Sequence, residues 1–154
     1  MIVLLETEKD AKEILRLQIL SYQVEADIMK FTGIPRLYDT VEDIQSCPET
    51  FYGYFFDNRL VGCISFVKQE HVLEICRMVV HPDHFKKGIA TALLRFVLQM
   101  DRDVTTYVVH TGTANVPATS LYKKFGFVQK EMIMITEQVS LTKFVKEVNL
   151  TKEE

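Results

Sequence analysis

The sequence predicts an α/β (α+β) fold: a mixed, largely antiparallel sheet of six to seven strands with helices on both faces. Three observations lead there. Apolar residues recur at helical spacing in three separate segments. Short runs rich in aromatic and β-branched residues lie between them, several bounded by turn residues. One strand, helix and strand also follow each other within about forty residues, the span of a βαβ unit whose strands run parallel.

The elements follow in order. The apolar start Met1-Ile2-Val3-Leu4-Leu5 turns acidic at Glu6 and carries no basic flank, so it reads as a strand and not as a signal peptide. Thr7 with Asp10 forms a capping pattern, and Ala11, Ile14, Leu15, Ile19 and Tyr22 then share one face of a helix over about 8–26. Residues 27–50 read as irregular around Gly33-Ile34-Pro35 and Cys47-Pro48, with a short helix near 41–45. Residues 51–56 and 60–67 flank Asp57-Asn58-Arg59 and make a hairpin. A strand over 72–80 ends before Pro82. Residues 88–100 are apolar except at Thr91, Arg95 and Gln99, one polar stripe on a buried helix. A strand over 104–109 follows. Beyond Pro117, the spacing of Ala118, Leu121, Tyr122 and Phe125 gives a last helix, with Gly126 placed to end it. Strands over 127–135 and 141–148 close the chain. Residues 1–150 are expected to form one domain, and 151–154 a frayed tail.

Composition narrows the function classes. With 154 residues, 47% hydrophobic, and a formal charge of −3, the chain can build a core and is no disordered polymer. The near-neutral charge gives no general attraction to nucleic acid or an anionic membrane. No apolar run reaches the roughly 18 residues of a spanning helix. Cys47, Cys63 and Cys76 are odd in number, lie in or beside apolar runs and lack metal-ligand spacing, so they read as reduced core thiols of a cytoplasmic protein. His81 and His84 flank Pro82 without a third ligand nearby; they read as loop histidines, and no metal is expected.

The most informative stretch is Val79-Val80-His81-Pro82-Asp83-His84-Phe85-Lys86-Lys87-Gly88-Ile89-Ala90-Thr91. A strand ends, two lysines follow in a loop, and a glycine opens a helix whose first turn is slim. Unpaired amides and the macrodipole there favour an anion, and Gly88 lets phosphates approach the backbone. The same residues are also compatible with an ordinary turn carrying two solvated lysines. The patterns GxxxxGK[ST] and GxGxxG after a strand are both missing, which argues against an NTPase or a dinucleotide dehydrogenase.

The window Phe85-Lys86-Lys87-Gly88-Ile89-Ala90 resembles motif A, [Q/R]-x-x-G-x-[G/A], of the GCN5-related N-acetyltransferase (GNAT) superfamily, with Phe85 in place of the usual Arg or Gln. The run Asn115-Val116-Pro117-Ala118-Thr119-Ser120-Leu121-Tyr122-Lys123-Lys124-Phe125-Gly126-Phe127 resembles the family's second element, an Asn before a helix ending in LYxxxGF. The resemblance implies transfer of an acetyl group from acetyl-CoA, the co-substrate, to an amine of a small molecule or peptide, in a ternary complex. It implies two central parallel strands that splay to admit the pantetheine arm. The main chain of Met78, Val79 and Val80 would bond the pantetheine as an added strand would. The amides of Lys86, Lys87, Gly88, Ile89, Ala90 and Thr91 would wrap the pyrophosphate, and Asn115 would hold the mouth of the gap. Dimers are frequent in the family, so the resemblance is compatible with a homodimer and leaves the oligomeric state open. The alternative is a regulatory module that binds acyl-CoA without turnover.

An ammonium must lose a proton before it attacks, so the chemistry needs a base. Glu74, in the position of the histone acetyltransferase base, is one choice; strand alternation puts it on one face with Cys76, Met78 and Val80. His110, five residues before Asn115, is another, where the ribosomal-protein acetyltransferase branch has its base. Tyr122 occupies the family's position for the acid that protonates the departing thiolate and contacts the cofactor. Tyr22, Glu25, Asp27 and Tyr38 fall where the family builds its acceptor pocket. Acids there suit a cationic amine, and equally suit a solvated helix face.

Overall fold

Two capping boxes set the N-terminal helices. The computed structural model describes residues 1–30, 33 and 38–148. Helix α1 (Glu8–Met29) follows strand β1 (Ile2–Leu5), and the Thr7 hydroxyl accepts from the Asp10 amide at 3.0 Å while the Asp10 carboxylate accepts from Thr7 N at 3.0 Å. The helix runs three residues past the expected 26, because Ala26 is still buried and no breaker intervenes; it stops where Lys30 turns left-handed at φ 53°. Thr40 and Asp43 repeat the box at α2 (Val41–Ser46). The irregular segment expected around Gly33-Ile34-Pro35 falls largely outside the described residues, as does the expected tail 151–154.

Among the described residues the sheet has seven strands: β1, β2 (Thr50–Phe56), β3 (Arg59–Gln69), β4 (Val72–Val80), β5 (Thr106–Gly112), β6 (Val128–Met134) and β7 (Ser140–Glu147), in the order β1-β2-β3-β4-β5-β7-β6. The β2–β3 reversal needs only Asp57 and Asn58, at φ 50° and 61°, the left-handed pair of a two-residue hairpin turn. β4 and β5 pair in parallel, joined through α3 (Ile89–Met100), and every other pairing is antiparallel. β5 begins two residues later than expected and extends to Gly112: Val104 is apolar because it is buried in the approach to the strand, and His110 lies inside the strand, not at its end.

Helices cover both faces. On one side α3 and α4 (Val116–Lys124) pack Leu93, Leu94, Val97 and Tyr122 against Leu73, Ile75, Tyr107 and Phe144. On the other, α1 and α2 set Ile14, Leu17 and Ile44 on Phe51, Cys63 and Val79. Each fully buried leucine contributes about 1.5–3 kcal/mol by leaving water. Gly126 follows α4 at φ 89°, the left-handed exit that turns the chain toward β6. Among the described residues β6 pairs with β7 alone, and all seven of its residues are exposed, Met132, Ile133 and Met134 among them. No helix of the described residues is long and apolar enough to cross a membrane.

Two irregularities shape the centre. β4 and β5 are paired from Val72↔Thr106 to Ile75↔Val109 and then part, so among the described residues the strand beyond Ile75 pairs only with β3. At the same point the β3–β4 register slips: Ser65 faces Arg77 and Phe66 faces Ile75, leaving Cys76 as an extra residue. The bulge breaks the expected alternation. Leu73, Ile75, Met78 and Val80 turn to the α3 side, whereas Arg77 and Val79 turn to α1. Glu74 therefore does not share a face with Met78 and Val80, because one inserted residue reverses the side-chain phase.

Candidate active site

The parting of β4 and β5 opens a cavity of about 520 Å³. Its walls come from α1 (Tyr22, Glu25), the free half of β4 (Met78, Val80), the loop into α3 (Lys86, Gly88), and the start of α4 (Asn115, Tyr122).

The end at α3 is built for an anion. Gly88 caps the helix at φ 80°, a conformation that favours glycine, and a Cβ added there would meet nothing within 4 Å. The first intrahelical donor is Ala92 N, to Gly88 O at 2.9 Å, so the amides of Gly88 through Thr91 have no helical acceptor. No acidic side chain sits in this first turn and none caps it. Lys86 joins from the loop at φ 63°. Phe85, which replaces the usual cation, is 41% exposed and lies on the cavity wall.

At the other end α4 brings Asn115 and Tyr122 to the gap. The Asn115 side chain caps its helix, accepting from Ala118 N at 3.3 Å. Tyr122 is 3% exposed, with Phe127 edge-on to its ring and Phe144 beside it. Burial raises its phenol well above the ordinary range, and the Glu25 charge adds to the rise, so the hydroxyl stays protonated. It has no hydrogen-bond partner among the described residues. Burial likewise raises the Glu25 carboxyl, and the Asn115 side chain opposes part of that rise.

Glu74 and His110 come together across the β4–β5 seam, with His110 Nδ1 3.7 Å from Glu74 Oε2. His110 fronts the cavity and Glu74 stands behind it, outside the lining. Of the other sequence candidates, Met78, Val80, Ile89, Ala90 and Thr91 line the cavity. The Val79 side chain faces α1, and Lys87 lies off the wall. On the acceptor side Tyr22 and Glu25 line it, whereas Asp27 is exposed and Tyr38, 68% exposed, stands away. His81 and His84 meet ring edge to face at 5.7 Å, and His81 Nδ1 accepts from Asp83 N.

Sequence reasoning missed the cluster beneath the cavity. Arg77, 5% exposed, donates to Glu49 Oε1 and Oε2 at 2.8 and 3.1 Å, to Asp39 Oδ2 at 2.8 Å and to Gln18 Oε1 at 2.9 Å. Ser65 completes Glu49 at 2.6 Å, and the guanidinium lies over the Phe51 ring. Burial works against the Arg77 charge, but Glu49 and Asp39 more than offset it and hold the pKa up. A lone cation amid an apolar strand was the available signal, and its partners are scattered over residues 18–65.

Comparison with known proteins agrees with this architecture. The chain is 45% identical over 134 residues to UPF0157 protein YqkA of Bacillus subtilis, covering 87% of this chain and 39% of that one. It is 38% identical over 79 residues to streptothricin acetyltransferase of Escherichia coli, covering 49% of this chain and 45% of the relative. The chain thus spans less than half the length of these curated relatives. Among solved structures, the PaiA N-acetyltransferase of Thermoplasma acidophilum in complex with coenzyme A superposes with a TM-score of 0.76 at 15% identity, over 96% of this chain and 99% of that one. Residues 14–127 match the model of the acetyltransferase (GNAT) family, and with that match spanning most of the chain, including both motif segments, this chain belongs to the GNAT family.

Proposed function

We propose that the chain is an N-acetyltransferase that moves an acetyl group from acetyl-CoA to a primary amine of a small molecule or peptide by direct attack in a ternary complex. What carries this reading is the parting of β4 and β5, which joins an anion-ready helix start and a protonated tyrosine in one cavity. Acetyl-CoA supplies the acyl group as an activated thioester.

The chain's own groups do the rest. The main chain of Met78, Val79 and Val80, with no strand on its β5 side, takes the pantetheine amides. The amides of Lys86, Lys87, Gly88, Ile89, Ala90 and Thr91 take the pyrophosphate, with Gly88 leaving room for it. Asn115 holds the mouth. His110 removes the amine proton at its ring nitrogen, with Glu74 behind Nδ1 to orient the ring. A free amide of β4 near Met78 meets the carbonyl oxygen as it gains charge. Tyr122 Oη, raised in pKa and without a hydrogen-bond partner among the described residues, gives its proton to the departing sulfur.

The test is thiol release from acetyl-CoA across polyamines, aminoglycosides, amino acids and peptide N-termini. The expected result is amine-dependent release with at least one class. Tight acetyl-CoA binding without release from any class would replace the enzyme by a binding module.

A further inference from the structure

The acceptor side of the cavity carries one feature the proposed chemistry does not use. Among the described residues that line the cavity, Glu25 is the single carboxylate. The cations on the wall lie elsewhere: Arg77 is committed to Glu49 and Asp39, and Lys86 belongs to the loop before α3. No Lys, Arg or His side chain among the described residues forms an ion pair with Glu25. Its neighbours are the Asn115 amide and the Tyr122 phenol, both neutral. A carboxylate drawn from water and left without a counter-ion among the described residues costs free energy that a side chain could have offset. Around it α1 presents Val24 and Ile28, the latter 43% exposed, as an apolar lip on the same cavity.

From this juxtaposition we propose that Glu25 is the acceptor-selecting residue, supplying the counter-ion for the ammonium of a cationic primary alkylamine whose chain lies along Val24 and Ile28. The inference rests on the acetyltransferase reading for its purpose, but it concerns binding and can be tested without turnover. An incoming ammonium restores charge balance in a site of low dielectric, where a neutral amine of equal size gains only a hydrogen bond. Glu25 thereby sets which amines dwell beside Tyr122, and a negatively charged acceptor is repelled at the same point. Asp27, two residues on, is exposed and off the wall, so it offers no comparable discrimination.

The experiment uses the full chain and a matched pair of probes: butylamine, protonated at neutral pH, and O-propylhydroxylamine, of similar length and neutral. Each is titrated by NMR with and without saturating CoA, which carries no acyl group to transfer. The expected result is that the cation binds about tenfold more tightly or better, and that Glu25→Gln, which keeps size and can still pair with Asn115, abolishes the preference. Glu13→Gln, a half-buried carboxylate on the same helix and outside the cavity lining, should keep it. Equal binding of the two probes to the unsubstituted protein, no binding of either, or a preference that survives Glu25→Gln would each overturn the proposal. Failure of CoA to bind would instead overturn the acetyltransferase reading, while the titration without CoA still decides the role of Glu25.

Discussion

Two polar clusters touch α1 about two turns apart, and they differ in how fully their groups are satisfied. At Gln18, the Arg77 guanidinium is closed on three acceptor side chains, and even Ser65 is used to complete Glu49. At Glu25, a carboxylate lies in a cavity with the Asn115 amide for company and a tyrosine hydroxyl that has no hydrogen-bond partner among the described residues. The first cluster ties residues 39 and 49 to the central strand. The second is left open beside the break in that strand's pairing. Satisfied buried polarity holds a fold together, and unsatisfied polarity in a cavity marks where something else is to be bound.

Four substitutions separate the two roles. Arg77→Ala strands two acidic partners in a low-dielectric site and should cost about 3–5 kcal/mol of stability by denaturant titration. A loss below about 1 kcal/mol would erase the contrast. Tyr122→Phe removes only the proton at the open cluster, so kcat should fall about 100-fold while acetyl-CoA affinity and folding stability hold. An unchanged kcat across the pH range would remove Tyr122 from the mechanism. Gly88→Ala forces a left-handed alanine and fills the open cradle, and calorimetry should show acetyl-CoA binding weakened about tenfold.

The smallest effect has the sharpest sign. Burial makes the folded state hold the Glu25 proton more tightly than the unfolded chain does. Above that raised pKa the ionised carboxylate therefore works against folding. Glu25→Gln should raise Tm by about 1–2 °C at neutral pH, with the gain fading as pH falls and the native side chain takes up its proton. A drop in Tm at neutral pH would place Glu25 with Arg77, among the groups that hold the fold.

Local patterns were legible in the sequence and long-range pairings were not. Thr7 with Asp10, the Asp57-Asn58 turn and the glycine before α3 each announce themselves within a few residues, and each stands where the sequence puts it. The motif segments around Gly88 and Tyr122 likewise mark the two ends of the cavity. The faces of β4 were misread because alternation assumes an unbroken ladder, and nothing near Cys76 signals that Ser65 and Phe66 will pair across a gap. The Arg77 cluster draws on Gln18, Asp39, Glu49 and Ser65, whose meeting is a property of the tertiary fold. Glu25 and Asp27 look alike in the chain, and only the direction of α1 against the gap tells them apart.

The extra residue at Cys76 also makes strand length a stricter constraint than strand composition. Many single replacements between Ile75 and Val80 would disturb one contact, and deleting Cys76 would restore an unbroken ladder with every later face kept, but inserting one residue beside it would exchange every later side chain between the two cores. Arg77 would then be driven among the leucines of α3, and Met78 toward Gln18. One-residue insertions should therefore be poorly tolerated from Arg77 to Val80 while deletion of Cys76 is accepted, and that pair of outcomes would trace the boundary between the two cores more clearly than any scan of substitutions.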